Sequence, residues 1–140
     1  MSSVEPTPER LRAFVRDAEG ETPVVMINLL RYREQAAYAP DSDAEPCSGR
    51  KAYERYAAVA TGQVASVGGR MLWLGHVEST LIAPDSEEWD DAVLVQYPSR
   101  RAFLQMVAKP EYQAAAFHRT AALSDSRLIA TTTLAGSFDS

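Results

Sequence analysis

The chain has 140 residues, enough for one domain with its own core and too few for two. Its 46% hydrophobic and 24% charged residues are those of an ordinary globular chain, and a formal net charge of −5 gives no electrostatic reason to bind nucleic acid. The lone Cys47 excludes an intrachain disulfide and fits a reducing compartment, and no apolar run approaches a membrane span or a signal sequence, so the sequence predicts a cytoplasmic protein without nucleic-acid or membrane partners.

Thr7-Pro8-Glu9 reads as a helix start, with a capping hydroxyl, Pro at the first helical position and an acid in the first turn. Leu11, Phe14, Val15 and Ala18 recur on one helical face and Gly20 ends the segment, making residues 1–22 a helical leader. Residues 23–32 are apolar on both parities, the mark of a central strand covered on both faces, and Asn28 interrupts them. Residues 33–48 have no period and make a long loop of the kind that is often functional or mobile.

Ser48 caps the next helix, whose inward face carries Tyr53, Tyr56, Ala57, Ala60, Val64 and Val67, and Gly68-Gly69 supplies the left-handed exit. A long strand over 71–82, a polar turn at 84–88 and a second two-sided apolar strand over 92–97 read as a hairpin. Ser99 caps a helix bearing Phe103, Met106 and Val107, and Lys109-Pro110 breaks it before a second piece running to about residue 123. Ser124-Asp125 reads as a turn into a last strand over 127–134, and 135–140 should fray.

Without the leader, residues 23–134 spell strand, helix, strand, strand, helix, strand, the ferredoxin-like α+β arrangement. That order places the first and third strands in the sheet centre, and these are the two runs that are apolar on both sides. Helices in this architecture cover one face only. The other face would expose Val25, Ile27 and Leu29 or Val24, Met26 and Leu30, at roughly 1.5–3 kcal/mol per large side chain. Two sheets packed face to face about a two-fold axis cover it, so the predicted partner is a second copy of the chain. The competing possibility is that the leader or the 33–48 loop folds over that face.

The ordered set Asn28-Leu29-Leu30-Arg31, Tyr53-x-x-Tyr56, Gly68-Gly69-Arg70, Trp89-Asp90, Tyr97-Pro98-Ser99 with Phe103, Glu111-Tyr112-Gln113 and His118-Arg119 resembles a domain-of-unknown-function family of the dimeric α/β-barrel superfamily. The resemblance covers roughly residues 23–133. It implies a ferredoxin-like subunit and a homodimer, the dimeric α/β barrel. It implies no single activity, because that superfamily includes cofactor-free monooxygenases, isomerases, haem enzymes and proteins with no known reaction.

Several residues stand out as chemistry-bearing. Arg119 falls in the middle of the buried stripe that Tyr112, Ala116 and Leu123 make on the last helix. A cation there calls for a carboxylate such as Glu78 as a structural partner, a side chain that snorkels along the helix, or a polar cavity that receives an anion. His118 at the stripe's edge is a candidate general base or a surface histidine. Asn28 can orient a ligand carbonyl or tie the sheet to a loop, and Arg31 near the strand end offers a second cation. Tyr53 and Tyr56 beside small alanines pack the core or line a ligand site.

His76 and Glu78 share one strand face, but two ligands do not make a metal site, and the acids at 87–91 read as a solvated cluster. The expected function is a small enzyme without metal or other cofactor, monooxygenase- or isomerase-like as some members of that superfamily are, acting on an anionic or aromatic metabolite. The alternative is a non-catalytic homodimer that only holds such a molecule.

Overall fold

Two central strands, β1 (Val24–Tyr32) and β3 (Asp91–Tyr97), pair antiparallel with Val24 opposite Tyr97 and Leu30 opposite Asp91. Strand β4 (Leu123–Thr131) flanks β1 and strand β2 (Arg70–His76) flanks β3, so the sheet order is β2-β3-β1-β4, antiparallel throughout. Helix α2 (Gly49–Ser66) links β1 to β2, and α3 (Arg100–Ala108) with α4 (Pro110–Ala122) links β3 to β4. This is the ferredoxin-like α+β fold, preceded by α1 (Pro8–Arg16). The computed structural model describes residues 3–16 and 22–137, so Ala18, Gly20 and the last three residues lie outside the described part.

The caps fall where the sequence put them. Thr7 Oγ1 accepts from Arg10 N at 3.1 Å, Ser48 Oγ from Lys51 N at 3.1 Å and Ser99 Oγ from Ala102 N at 3.1 Å. Gly68 leaves α2 at φ 83°, a left-handed angle that a side chain would oppose. Lys109 is extended at φ −70°, ψ 137°, because Pro110 excludes the helical region there, and α4 starts afresh at that proline.

Strands β2 and β4 differ from the sequence reading, and β4 ends at Thr131 rather than at 134. β2 ends at His76 rather than at 82, and Leu81 and Ile82 stand 92% and 96% exposed in the connection to β3. Apolar character extended the predicted strand, but pairing ends where Asp91 opens β3. β4 begins at Leu123, so α4 runs straight into it and Ser124-Asp125 is not a turn. The polar triplet is satisfied in place. Ser124 Oγ donates to Arg31 O at 3.3 Å, Asp125 Oδ1 accepts from Ser3 N at 2.8 Å, and Ser126 Oγ donates to Ser3 O at 2.6 Å.

Strand parity sorts the sheet. Val24, Met26, Leu30, Val93 and Tyr97 face the helices, in one cluster with Ala102 and Met106 and another with Ala52, Ala122 and Leu123. Val25, Ile27, Leu29, Leu94 and Ile129 take the opposite face with Trp73, where Ile129 is 47% and Trp73 52% exposed. Neither sequence candidate covers that face. α1 packs on α3 through Phe14 and Phe103, with ring centroids 5.5 Å apart.

The 33–48 connection lies on the helices instead, held by Arg33 N to Ala122 O at 2.8 Å, Ala37 N to Ala121 O at 2.8 Å and Ala36 N to Cys47 O at 2.9 Å. Cys47 is half-buried there, against the second cluster. No helix among the described residues is long and apolar enough to cross a membrane.

Candidate functional site

Helices α2 and α4 pack side by side over the sheet and bring a row of aromatic rings together between them. Tyr53 and Tyr56 lie one helical turn apart on α2 with ring centroids 5.3 Å apart, and the Tyr56 hydroxyl meets the Tyr112 hydroxyl of α4 at 2.8 Å. The Tyr32 ring, from the end of β1, stands edge-on to Tyr53 at 5.6 Å. The positive charge of Arg119 on α4 acts on both Tyr53 and Tyr56.

Burial first, then neighbouring tyrosines, pushes the Tyr56 hydroxyl well above its ordinary pKa; burial likewise lifts Tyr53 to about 12, with Arg119 pulling the other way. Both hydroxyls are therefore protonated at neutral pH and available as donors. Among the described residues the Tyr53 hydroxyl has no hydrogen-bond partner.

The carboxylate partner considered for Arg119 is not there. Its Nη1 donates to the carbonyl of Val4 at 2.8 Å, and it forms no ion pair among the described residues. Val4 belongs to an N-terminal arm laid across α4 and β4, pinned by the two Ser3 bonds and by Thr120 Oγ1 donating to Glu5 Oε1 at 3.2 Å. A half-buried guanidinium thus ends on a neutral backbone oxygen. Asn28 projects from the helix-facing side of β1, and its Nδ2 has only a long contact to Met26 O at 3.5 Å.

The remaining sequence candidates go elsewhere. Arg31 lies on the helix-free parity, 3.9 Å from Glu88. His118 faces the 33–48 connection, where its Nδ1 and the Tyr38 hydroxyl share a hydrogen bond at 2.6 Å and Arg55 donates to that same oxygen at 3.1 Å. Burial, then the Arg55 charge, holds the His118 imidazole below the ordinary histidine pKa and keeps it neutral. A shallow open cleft of about 430 Å3 adjoins this corner, between Tyr38, Phe117, Thr120 and Glu5.

One cluster escaped the sequence reading. Asp91 is not a solvated acid but 7% exposed, at the head of β3. Its Oδ2 accepts from the Tyr32 hydroxyl at 2.7 Å and from Arg50 Nη1 at 3.1 Å, and its Oδ1 from His76 Nδ1 at 2.9 Å. Arg50 lies over the Tyr32 ring at 4.5 Å. The available signal was register, since His76 sits directly opposite Asp91 across β2 and β3; the overlong β2 hid it.

Burial alone would raise the Asp91 pKa, but the hydrogen bonds from His76, Tyr32 and Arg50 together hold it below 3.8. The Asp91 bond in turn raises His76 above 6.5. His76 therefore contributes stability fully below pH 6.5 and loses it as pH rises through the raised value. Asp91 contributes fully above pH 3.8 and loses it as pH falls through the lowered value. Among the described residues no three His, Cys, Asp or Glu side chains converge to hold a metal.

A βαββαβ subunit whose helices cover one sheet face has the ferredoxin-like α+β fold. Residues 47–133 match the family described as Domain of unknown function (DUF1330), and the chain belongs to that family. A protein of unknown function from Rhodopseudomonas palustris is 37% identical over 97% of this chain and 100% of its own, with a TM-score of 0.88. A dimeric protein of unknown function with a ferredoxin-like fold from Bacteroides fragilis is 13% identical over 79% of this chain and 96% of its own, with a TM-score of 0.50. A hydroxynitrile lyase from Passiflora edulis is 14% identical over 81% of this chain and 95% of its own, with a TM-score of 0.54. At that identity the last two share the fold. No curated protein matches the chain.

Proposed function

We propose that the protein is a homodimer, joined through the helix-free sheet face, that binds a small anionic or aromatic metabolite among Arg119, Tyr53, Tyr56 and Asn28 and acts on it without a cofactor. The observation that carries the ligand is Arg119 itself. A half-buried guanidinium with no carboxylate partner among the described residues, whose charge acts on the Tyr53 hydroxyl, suits a carboxylate or enolate oxygen that would replace the Val4 carbonyl. Tyrosine faces supply the apolar walls for an aromatic body. Arg119, Tyr53 and Asn28 would then stabilise negative charge that develops on oxygen. That a hydroxynitrile lyase shares the fold is compatible with small-molecule chemistry in this architecture, but the case rests on the residues of this chain.

Removing Arg119 separates this reading from a structural one. Arg119→Met forfeits one charge-assisted bond to a carbonyl and strands no acid, so unliganded stability should fall by no more than about 1.5–3 kcal/mol. In the parent protein, 10 mM benzoate or phenylpyruvate should raise the melting temperature. At 100 times Kd that stabilisation is about 2.7 kcal/mol. The shift should vanish in Arg119→Met. An equal shift in both proteins would remove Arg119 from the ligand site.

The dimer has its own test. Light scattering at micromolar concentration should give twice the chain mass, and Ile27→Asp, which places a charge on the bare face, should give monomer or aggregate. A parent that runs at the mass of one chain would contradict the face-to-face assembly.

A further inference from the structure

The Asp91 cluster adjoins the aromatic row through Tyr32, whose hydroxyl it holds and whose ring meets Tyr53, and has the parts of a proton-transfer centre. His76 Nδ1 donates to Asp91 Oδ1 at 2.9 Å, which fixes the imidazole tautomer and leaves Nε2 with its lone pair outward, on a side chain 61% exposed. Asp91 is itself held from behind by Tyr32 and Arg50, so the carboxylate cannot rotate away from the ring. Arg50 spends one nitrogen on Asp91 and is half exposed, leaving further N–H groups free beside the imidazole. On the same face of β2, Leu74 and Met71 are 55% and 57% exposed, an apolar strip that leads up to His76. A base, an anion-stabilising cation and an apolar rest thus share one corner of the helix-facing side, away from the bare sheet face.

We propose that His76 is the catalytic base of a second site that exchanges the proton on carbon next to the carbonyl of a small keto acid with an apolar or aromatic body, with Arg50 receiving the oxyanion and Asp91 as the positioning residue. The C–H bond breaks and its proton passes to Nε2. The electron pair becomes the C=C bond of the enolate, whose charge rests on the oxygen facing Arg50. Return of a proton from Nε2 to carbon closes the cycle, so no oxidant or reductant enters. The groups facing His76 are Asp91 and Arg50, with Glu78 nearby on its own chain segment and Tyr32 behind Asp91.

The test is deuterium uptake at the carbon next to the carbonyl of pyruvate, phenylpyruvate and acetoacetate in D2O, followed by proton NMR with intact protein. The parent should accelerate uptake into at least one probe in proportion to protein concentration. His76→Gln, at an exposed position that should not disturb folding, should lower that rate at least about 100-fold, the scale of a lost general base. With neutral imidazole as the active form, the parent rate rises with pH through the elevated His76 pKa. Asp91→Asn should move that rise to lower pH, which a merely structural aspartate would not do, and Tyr32→Phe should move it less. Uptake no faster than in buffer with all three probes, or equal rates in parent and His76→Gln, would overturn the proposal. Benzoate protection lost in Arg119→Met would stand in either case, so failure here is distinguishable from failure of the Arg119 site.

Discussion

Gly49→Ala should be among the most damaging single substitutions in the chain, although alanine is ordinarily the better helix former. Gly49 opens α2 where the end of β1, the 33–48 connection and the end of α4 converge. Its N–H donates to Arg33 O at 3.0 Å, and Arg33 N donates to Ala122 O at 2.8 Å. A Cβ at this position would fall on Arg33 O, 2.6 Å from Ala122 O and 2.7 Å from Arg33 N. All three are backbone atoms, so no rotamer change relieves the clash and the hydrogen-bonded junction itself must open. Helix propensity returns up to about 1 kcal/mol. Overpacking costs roughly 1–3 kcal/mol and each buried amide left unpaired about 1–3 more. We expect a net loss near 3 kcal/mol and a melting temperature about 10 °C lower. An alanine variant as stable as the parent would show that this junction is looser than described.

Leu123→Ala should cost a similar amount by the opposite route. Leu123 is fully buried and marks the residue at which α4 becomes β4. It packs with Leu30, Ala52, Val93 and Ala122, while Val4, Tyr32 and Tyr53 lean on the same cluster. Truncating a buried leucine removes its transfer free energy and leaves a cavity, about 2–5 kcal/mol together. Ala52 and Ala122 already present the smallest side chains here, so the hole has little to collapse onto. Denaturant melts of parent and variant measure the loss. The slope with denaturant should stay constant, because the folded surface is unchanged. A loss under about 1 kcal/mol would mean that the junction is less tightly packed than its burial implies.

Leu123 also shows where the sequence stopped being legible. Caps, the proline break and the two-sided strands follow from local stereochemistry, so Thr7, Ser48, Ser99, Pro110 and the central pair β1 and β3 could be read directly. Ser124-Asp125-Ser126 could not, because a polar triplet signals a turn unless something distant satisfies it, and its partners are Ser3 and Arg31. The tail of β2 failed in the same manner. Leu81 and Ile82 continue an apolar run, yet pairing is a property of register and ends at His76 opposite Asp91.

The site divides along the same line. Wheel geometry put Tyr53, Tyr56 and Arg119 on inward faces; the two tyrosine rings do meet, and the Arg119 charge acts on both. Helix-face reasoning set His118 at the edge of the stripe but could not find its partner, because Tyr38 reaches it from a loop with no period. Asp91 was indistinguishable from the acids around it until the strand pairing placed Tyr32, Arg50 and His76 upon it.

The most direct measurement is a crystal structure of the parent protein grown with benzoate or phenylpyruvate. The expected result is a carboxylate within hydrogen-bond distance of the Arg119 guanidinium and the Tyr53 hydroxyl, its ring against the Tyr53 and Tyr56 faces and the Val4 carbonyl moved off Arg119. Ligand density absent beside Arg119 and Tyr53 at saturating concentration, with Arg119 still bonded to Val4, would contradict the assignment of Arg119 as the anion anchor.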